Sequence, residues 1–105
     1  MHITIAHTKT VAQAMQVADR SIDHVFKGLP HTPIQIVEQR KKWAGQVMEF
    51  GLTAKLGFLK YPIHGKVEVT DSRFAIDVEL GLLGKCLPEG QARQSIETRF
   101  RGLLS

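Results

Sequence analysis

The stretch VELGLLGKCLPEG, residues 78–90, holds the residue types from which a phosphate loop or a reactive thiol could be built. A P-loop needs the spacing GxxxxGK[ST] and a dinucleotide loop needs GxGxxG, and the stretch has neither. A cysteine nucleophile needs a positioned base, and Lys85 is only the chain neighbour of Cys86. We therefore predict a strand-to-helix corner, in which Gly81 helps the backbone to bend and Pro88 begins the helix.

Other residues that could support catalysis or bind metal lack the required spacing. The five histidines show no HExxH motif or paired ligand spacing, and one cysteine cannot form a thiolate metal site. The five histidines are His2, His7, His24, His31 and His64. We interpret His64 with Glu79 as a surface pair across strands, and Asp77 with Glu79 as solvated strand positions. The sequence thus predicts no catalytic residue, no metal and no cofactor, and we expect a protein that is not an enzyme.

Length and charge limit the protein further. A chain of 105 residues, 43% hydrophobic and 23% charged, suits a single domain over residues 1–105. No apolar run is long enough to span a bilayer, and the first residues do not resemble a secretory signal, so we expect a soluble, cytoplasmic protein. The formal net charge of +4 favours an anionic partner.

Hydrophobic periodicity predicts the elements that position these residues. A short strand near Ile3 and Ile5 is followed by a long amphipathic helix, with Thr8 or Thr10 as its cap. Period-2 alternation then predicts four antiparallel strands, and a second amphipathic helix follows. The predicted core positions are Val11, Ala14, Met15, Ala18, Ile22, Val25, Phe26 and Leu29 in the first helix; Ile34, Ile36, Met48, Phe50, Leu52, Ala54, Leu56, Ile63, Val67, Val69, Phe74, Ile76, Val78 and Leu80 in the strands; and Ala92, Ile96, Phe100 and Leu103 in the last helix. The fold class is two-layer α+β, order β-α-β-β-β-β-α, with both helices on one face of the sheet.

Charge complementarity predicts the register of the last two strands. A hairpin that pairs Val69 with Phe74 also places Lys66 opposite Asp77 and His64 opposite Glu79. A shift of two residues would place Glu68 against Asp77, which is repulsive. We therefore expect the first alignment.

A candidate apolar patch lies in LGFLKYPIHG, residues 56–65, and in the corner described above. Its residues are Phe58, Leu59, Tyr61, Leu82 and Leu83, with a basic rim of Lys55, Lys60 and Lys85. The 56–65 segment is either an irregular connection or a strand that continues past the sheet. These side chains either form an exposed contact surface or close the end of the core.

A second candidate is the basic and aromatic run Arg40, Lys41, Lys42 and Trp43, which could contact the phosphates and bases of a nucleic acid. The alternative is a solvated turn with its tryptophan in the core. The run would suit an RNA-binding or ribosome-associated domain, but acidic residues on the polar sheet face argue against RNA binding. A third hypothesis is a helix-grip-like fold around a small apolar ligand.

The chain resembles the small polyhydroxyalkanoic acid system proteins of bacteria, also called polyhydroxyalkanoate granule region proteins. The segments MHITIAH, VAQAMQVADRSIDHVF, WAGQVMEFGLTAKLG, GKVEVTDSRFAIDVELGLLG and QARQSIETRFRGLL carry the resemblance. It implies a role at polyhydroxyalkanoate storage granules or in their regulation, with the polymer or a granule coat protein as partner, and it implies no catalytic residue. We also expect a homo-oligomer, formed through an uncovered strand edge or the Phe58–Tyr61 segment.

Overall fold

The computed structural model describes residues 1–27, 34–82 and 89–105, which form one five-stranded antiparallel sheet and two helices. The elements are β1 (His2–Ala6), α1 (Val11–Lys27), β2 (Gln35–Ala44), β3 (Val47–Leu56), β4 (Leu59–Val69), β5 (Arg73–Glu79) and α2 (Glu89–Leu104). The strand order across the sheet is β1-β5-β4-β3-β2. This confirms the predicted α+β class, with the helices packed on the sheet.

Helix α1 begins at a capping box. The backbone N–H of Gln13 donates to Thr10 Oγ1, and the N–H of Thr10 donates to Gln13 Oε1, each over 3.1 Å. The buried face of the helix carries Ala14, Ala18 and Ile22, as the three-and-four spacing predicts. Leu29 and the predicted end of this helix at Gly28 and Pro30 lie outside the described residues.

The predicted β4–β5 register is confirmed pair by pair. Val69 lies opposite Phe74, Lys66 opposite Asp77 and His64 opposite Glu79. Because directly opposed residues share a face, this register places apolar side chains toward the helices and charged ones on the other side, which we call the open face.

Large apolar side chains fill the space between the sheet and the helices. The ring of Phe26 on α1 lies 6.1 Å from that of Phe50 on β3, and Phe74 on β5 lies 5.0 Å from Phe100 on α2, centroid to centroid. Leu104, with 2% of its surface exposed, completes the α2 stripe in place of the predicted Leu103, which is 45% exposed. Both positions follow Phe100 at helical spacing, so the sequence pattern did not distinguish them.

Strand β2 is longer than the alternation of Ile34 and Ile36 predicts. A β-bulge between Ile36 and Glu38 inserts Val37, so the side chains after it alternate between the two faces in the opposite phase. A search for period-2 hydrophobicity therefore does not detect the rest of the strand. The run 40–43 therefore lies in an edge strand and not in a turn.

The segment 56–65 also belongs to the sheet. Leu56 pairs with Leu59, so Gly57 and Phe58 form a two-residue hairpin loop, and Gly57 has the positive φ of 66° that such loops need. The segment is therefore neither an irregular connection nor a strand that continues past the sheet: it is a tight turn followed by the first part of β4, which pairs with β3 inside the sheet. At the predicted corner, Gly81 also has a positive φ, 57°, and α2 begins at Glu89.

The two edge strands differ in how they are protected from further pairing. Strand β2 carries the bulge at Val37 and the basic run Arg40–Lys42, both of which oppose addition of another strand. Strand β1 carries no Lys, Arg, Asp or Glu. The N–H of His7 donates to the carbonyl of Ser72, so the alternating ladder turns the N–H of Thr4 away from β5, toward the edge.

Candidate functional site

The loop between β3 and β4 exposes apolar side chains at one end of the sheet. Phe58 is 89% exposed and Leu59 is 51% exposed. The side chain of Phe58 projects because the tight turn at Gly57 leaves no neighbouring strand beside it. Phenylalanine is among the residue types that folded proteins most often bury, so an almost fully exposed one at the tip of a hairpin is unusual.

Two further apolar side chains are exposed at the same end. Leu82 is 65% exposed and follows Gly81, which lies beside the backbone of Pro62 near the start of β4. Val37 is 43% exposed and lies in the bulge near the start of β2, whose first pair joins Gln35 to Lys55. Within the described residues, four of the five exposed large apolar side chains are thus at this end, and the fifth is Leu103. We call Val37, Phe58, Leu59 and Leu82 the apolar tip.

The tip overlaps the patch predicted from the sequence without matching it. Tyr61 lies opposite Ala54 on the helix side and packs, half-buried, against the core. Leu83 and Lys85 lie outside the described residues. Sequence reasoning missed Val37, and the signal for it was the apolar pair 36–37, which breaks the alternation of β2.

Two lysines lie directly behind the tip on the open face. Lys55 on β3 and Lys60 on β4 are directly opposite each other, one pair behind Leu56 and Leu59. Like charges directly opposite each other repel. The β2 neighbour of Lys55 is the uncharged Gln35, and within the described residues neither lysine forms an ion pair.

Further from the tip, one row of side chains on the open face alternates in charge. One row crosses all five strands through directly opposed residues, with each acid between two basic or titratable side chains. The row is His2, Asp77, Lys66, Glu49 and Lys42. Such opposed charges stabilise each other and leave little net charge along this row.

Two shallow depressions accompany this row. One, of about 670 Å³, is lined in part by His64, Asp77 and Glu79, and the other, of about 590 Å³, lies at Gly51 between Arg40 and His64. His64 and Glu79 are opposite each other on this face, as the sequence predicted.

At the β1 end of the row, hydrogen bonds link a hydroxyl, an imidazole and a carboxylate. His2 Nδ1 lies 2.5 Å from Asp77 Oδ1, and His2 Nε2 lies 3.1 Å from Thr4 Oγ1. The order of groups is that of a nucleophile, a base and an orienting acid. The side chains of His2 and Asp77 are 60% and 47% exposed, so the network faces water on an open strand surface.

The basic and aromatic run is divided between the two faces of the sheet. Arg40 and Lys42 lie on the open face, whereas Lys41 and Trp43 point toward the helices, opposite Phe50 and Met48. Trp43 Nε1 donates to Asp19 Oδ1 over 3.1 Å, and Lys41 Nζ donates to the backbone carbonyl of Asp19. The fold does not bring the four side chains together as one surface.

Residues 1–27, 34–82 and 89–105 contain no group of three or more His, Cys, Asp or Glu side chains placed to hold a metal ion. No helix in this described part has the length and apolar character needed to cross a membrane.

The fold and the tip define a small α+β sheet-and-helix protein with exposed apolar side chains at one end of its sheet. The chain belongs to the family described as "Putative polyhydroxyalkanoic acid system protein" (PHA_gran_rgn), whose model matches residues 1–104. Comparison with curated proteins gives no match. The solved structure "Crystal structure of Ara h 8.0201" aligns over 97% of both chains at 15% identity, with a TM-score of 0.38, which is too low to support a conclusion.

Proposed function

We propose that this protein associates with polyhydroxyalkanoate storage granules and acts there by binding, through the apolar tip, to the polyester surface or to a granule coat protein. Family membership supports the connection with polyhydroxyalkanoate. The observation that carries the proposal is the exposure of Phe58, at 89%. Its burial against an apolar surface removes apolar area from water, which is the main favourable term in such association.

The magnitude follows from the exposures. Full burial of a Leu or Phe side chain contributes about 1.5–3 kcal/mol, so Phe58 contributes about 2 kcal/mol. Leu59 and Leu82, which begin 51% and 65% exposed, contribute about 1–1.5 kcal/mol each. The sum, about 4–5 kcal/mol, is close to the lower limit of the cost of association. A single tip therefore binds weakly, and we expect measurable binding where an extended surface offers many equivalent sites.

A nucleic-acid role has weaker support. An aromatic side chain that stacks on bases must be accessible, and the indole N–H of Trp43 instead donates to Asp19 on α1. Acids alternate with bases along the row that crosses the open face, which reduces the attraction of that row for phosphate. A small apolar ligand would also compete for space with the ring pairs Phe26–Phe50 and Phe74–Phe100.

The proposal includes no catalysis. Among the described residues, the Thr4–His2–Asp77 network is the arrangement closest to a catalytic one. His2 and Asp77 also belong to the charge row on the open face, which accounts for their pairing without catalysis. We expect ester hydrolysis by the purified protein to stay at the buffer rate, and Thr4→Val and His2→Ala to leave it there. Turnover above that rate, lost in both variants, would show that the network is an active site.

Co-sedimentation with purified granules tests the proposal. We expect the protein to sediment with the granules at moderate salt, and the double variant Phe58→Ser, Leu59→Ser to lose most of this binding while its circular dichroism is unchanged. Leu103→Ser is the matched control, because Leu103 is 45% exposed on α2, beside Gln13 and Val17 and away from the tip. Binding to RNA that weakens steeply with salt, without granule binding, would favour the nucleic-acid function instead.

A further inference from the structure

We infer that the surface contacted by the apolar tip is an anionic lipid interface, with Lys55 and Lys60 bound to its phosphate head groups. The inference rests on the proposed function only in its use of the same tip. It adds the chemical class of the partner, because a neutral polyester offers apolar contact without fixed negative charge.

The first argument is the contrast between lysines on the open face. Lys66 lies opposite Asp77 on one side and Glu49 on the other, and Lys42 lies opposite Glu49. Lys55 and Lys60 lie opposite each other instead. Elsewhere on this face the fold supplies an acid for each lysine, whereas the pair behind the tip remains available to an external anion.

The second argument is the position of these charges relative to the tip. Lys55 and Lys60 are opposite each other and one pair behind Leu56 and Leu59, to which the loop is attached. At about 3.4 Å per residue, both lysine backbones therefore lie roughly 7 Å behind Phe58. Apolar side chains of interfacial segments enter about 5–10 Å into the boundary between head groups and acyl chains. When Phe58 and Leu59 are at that depth, the long lysine side chains reach the level of the phosphates.

The tip also has the composition of an interfacial anchor. Phenylalanine and leucine project furthest, and cationic side chains follow them. Among the described strand residues, the nearest acid on the open face is Glu38, which lies opposite Thr53, one row further from the tip. Each lysine near an anionic membrane surface strengthens binding by about fivefold, so the pair supplies about 25-fold.

Vesicle co-sedimentation tests the inference. The protein is mixed with phosphatidylcholine vesicles, with vesicles that contain about 30% phosphatidylglycerol, and with neutral polyester particles. We expect the anionic vesicles to bind most tightly, and Lys55→Gln, Lys60→Gln to weaken that binding by about 25-fold. The control is the double variant Arg93→Gln, Arg99→Gln, which removes the same number of positive charges from exposed positions of α2. We expect this variant to retain most of the binding to anionic vesicles.

The outcomes separate this inference from the proposed function. Equal binding to neutral and anionic vesicles, or equal losses in the lysine and arginine variants, would overturn the anionic-lipid inference. Binding to polyester particles alone, lost in Phe58→Ser, Leu59→Ser, would overturn it and leave the proposed function in place. Binding to no vesicle, particle or granule would refute both.

Discussion

Two glycines in the centre of the sheet provide a direct test of the packing. Gly65 on β4 lies between Phe50 and Val78, and a Cβ at this position would come within 2.6 Å of the Phe50 ring and within 2.4 Å of the backbone oxygen of Asp77. The backbone oxygen is held by the sheet and cannot move away cheaply. We therefore predict that Gly65→Ala is destabilising, because the strands around the new methyl group must separate.

The expected magnitude follows from the cost of overpacking. Forcing an extra methyl group into a packed core costs about 1–3 kcal/mol, which exceeds the gain of about 0.4–1 kcal/mol from restricting the unfolded chain. A net loss of about 1.5 kcal/mol corresponds to a fall in Tm of roughly 6–12 °C for a chain of this size. Urea unfolding, followed by circular dichroism, measures the change in free energy.

Gly51 is the matched control because it lies in the neighbouring strand on the opposite face. A Cβ there would meet only the His64 ring, at 3.6 Å from Nδ1 and 3.9 Å from Cε1, which are ordinary contacts. Neither glycine is among those with positive φ, so alanine suits the backbone of both. We expect Gly51→Ala to be neutral or more stable by up to about 1 kcal/mol. Equal effects at the two positions, or a Gly65→Ala protein as stable as the parent, would refute this account of the packing.

Two further predictions concern the edges of the sheet. Asp19→Ala removes the acceptor of the Trp43 indole N–H, so we expect the free energy of unfolding to fall by about 1 kcal/mol. We also expect a red shift in the fluorescence emission of the single tryptophan, and unchanged emission would contradict the contact. The exposed edge of β1 predicts that the protein self-associates in sedimentation as its concentration rises. We expect Thr4→Pro to weaken this association, because proline removes the N–H that points outward from the edge, and we expect the control Thr4→Val to preserve it. A monomer at all concentrations would be evidence against edge pairing.

The sequence alone determined the element types and much of the register. The α1 periodicity and the Thr10 cap act through local spacing, and the β4–β5 alignment follows from opposite charges on a short hairpin. Such features depend on neighbours a few residues apart, which the sequence shows directly. The exposure of Phe58 and Leu59 was one of two alternatives in the sequence, and the structure selects it.

Only the tertiary structure decided which side chains meet across the sheet. The bulge at Val37 changes the face of every later residue in β2, so Lys41 and Trp43 face Asp19 and Arg40 faces the open side. The five-residue charge row and the isolated lysine pair likewise depend on four strand pairings together. The physical reason is that a one-residue shift in one strand moves its side chains to the opposite face, and the hydrophobic pattern of an edge strand is too weak to reveal that shift.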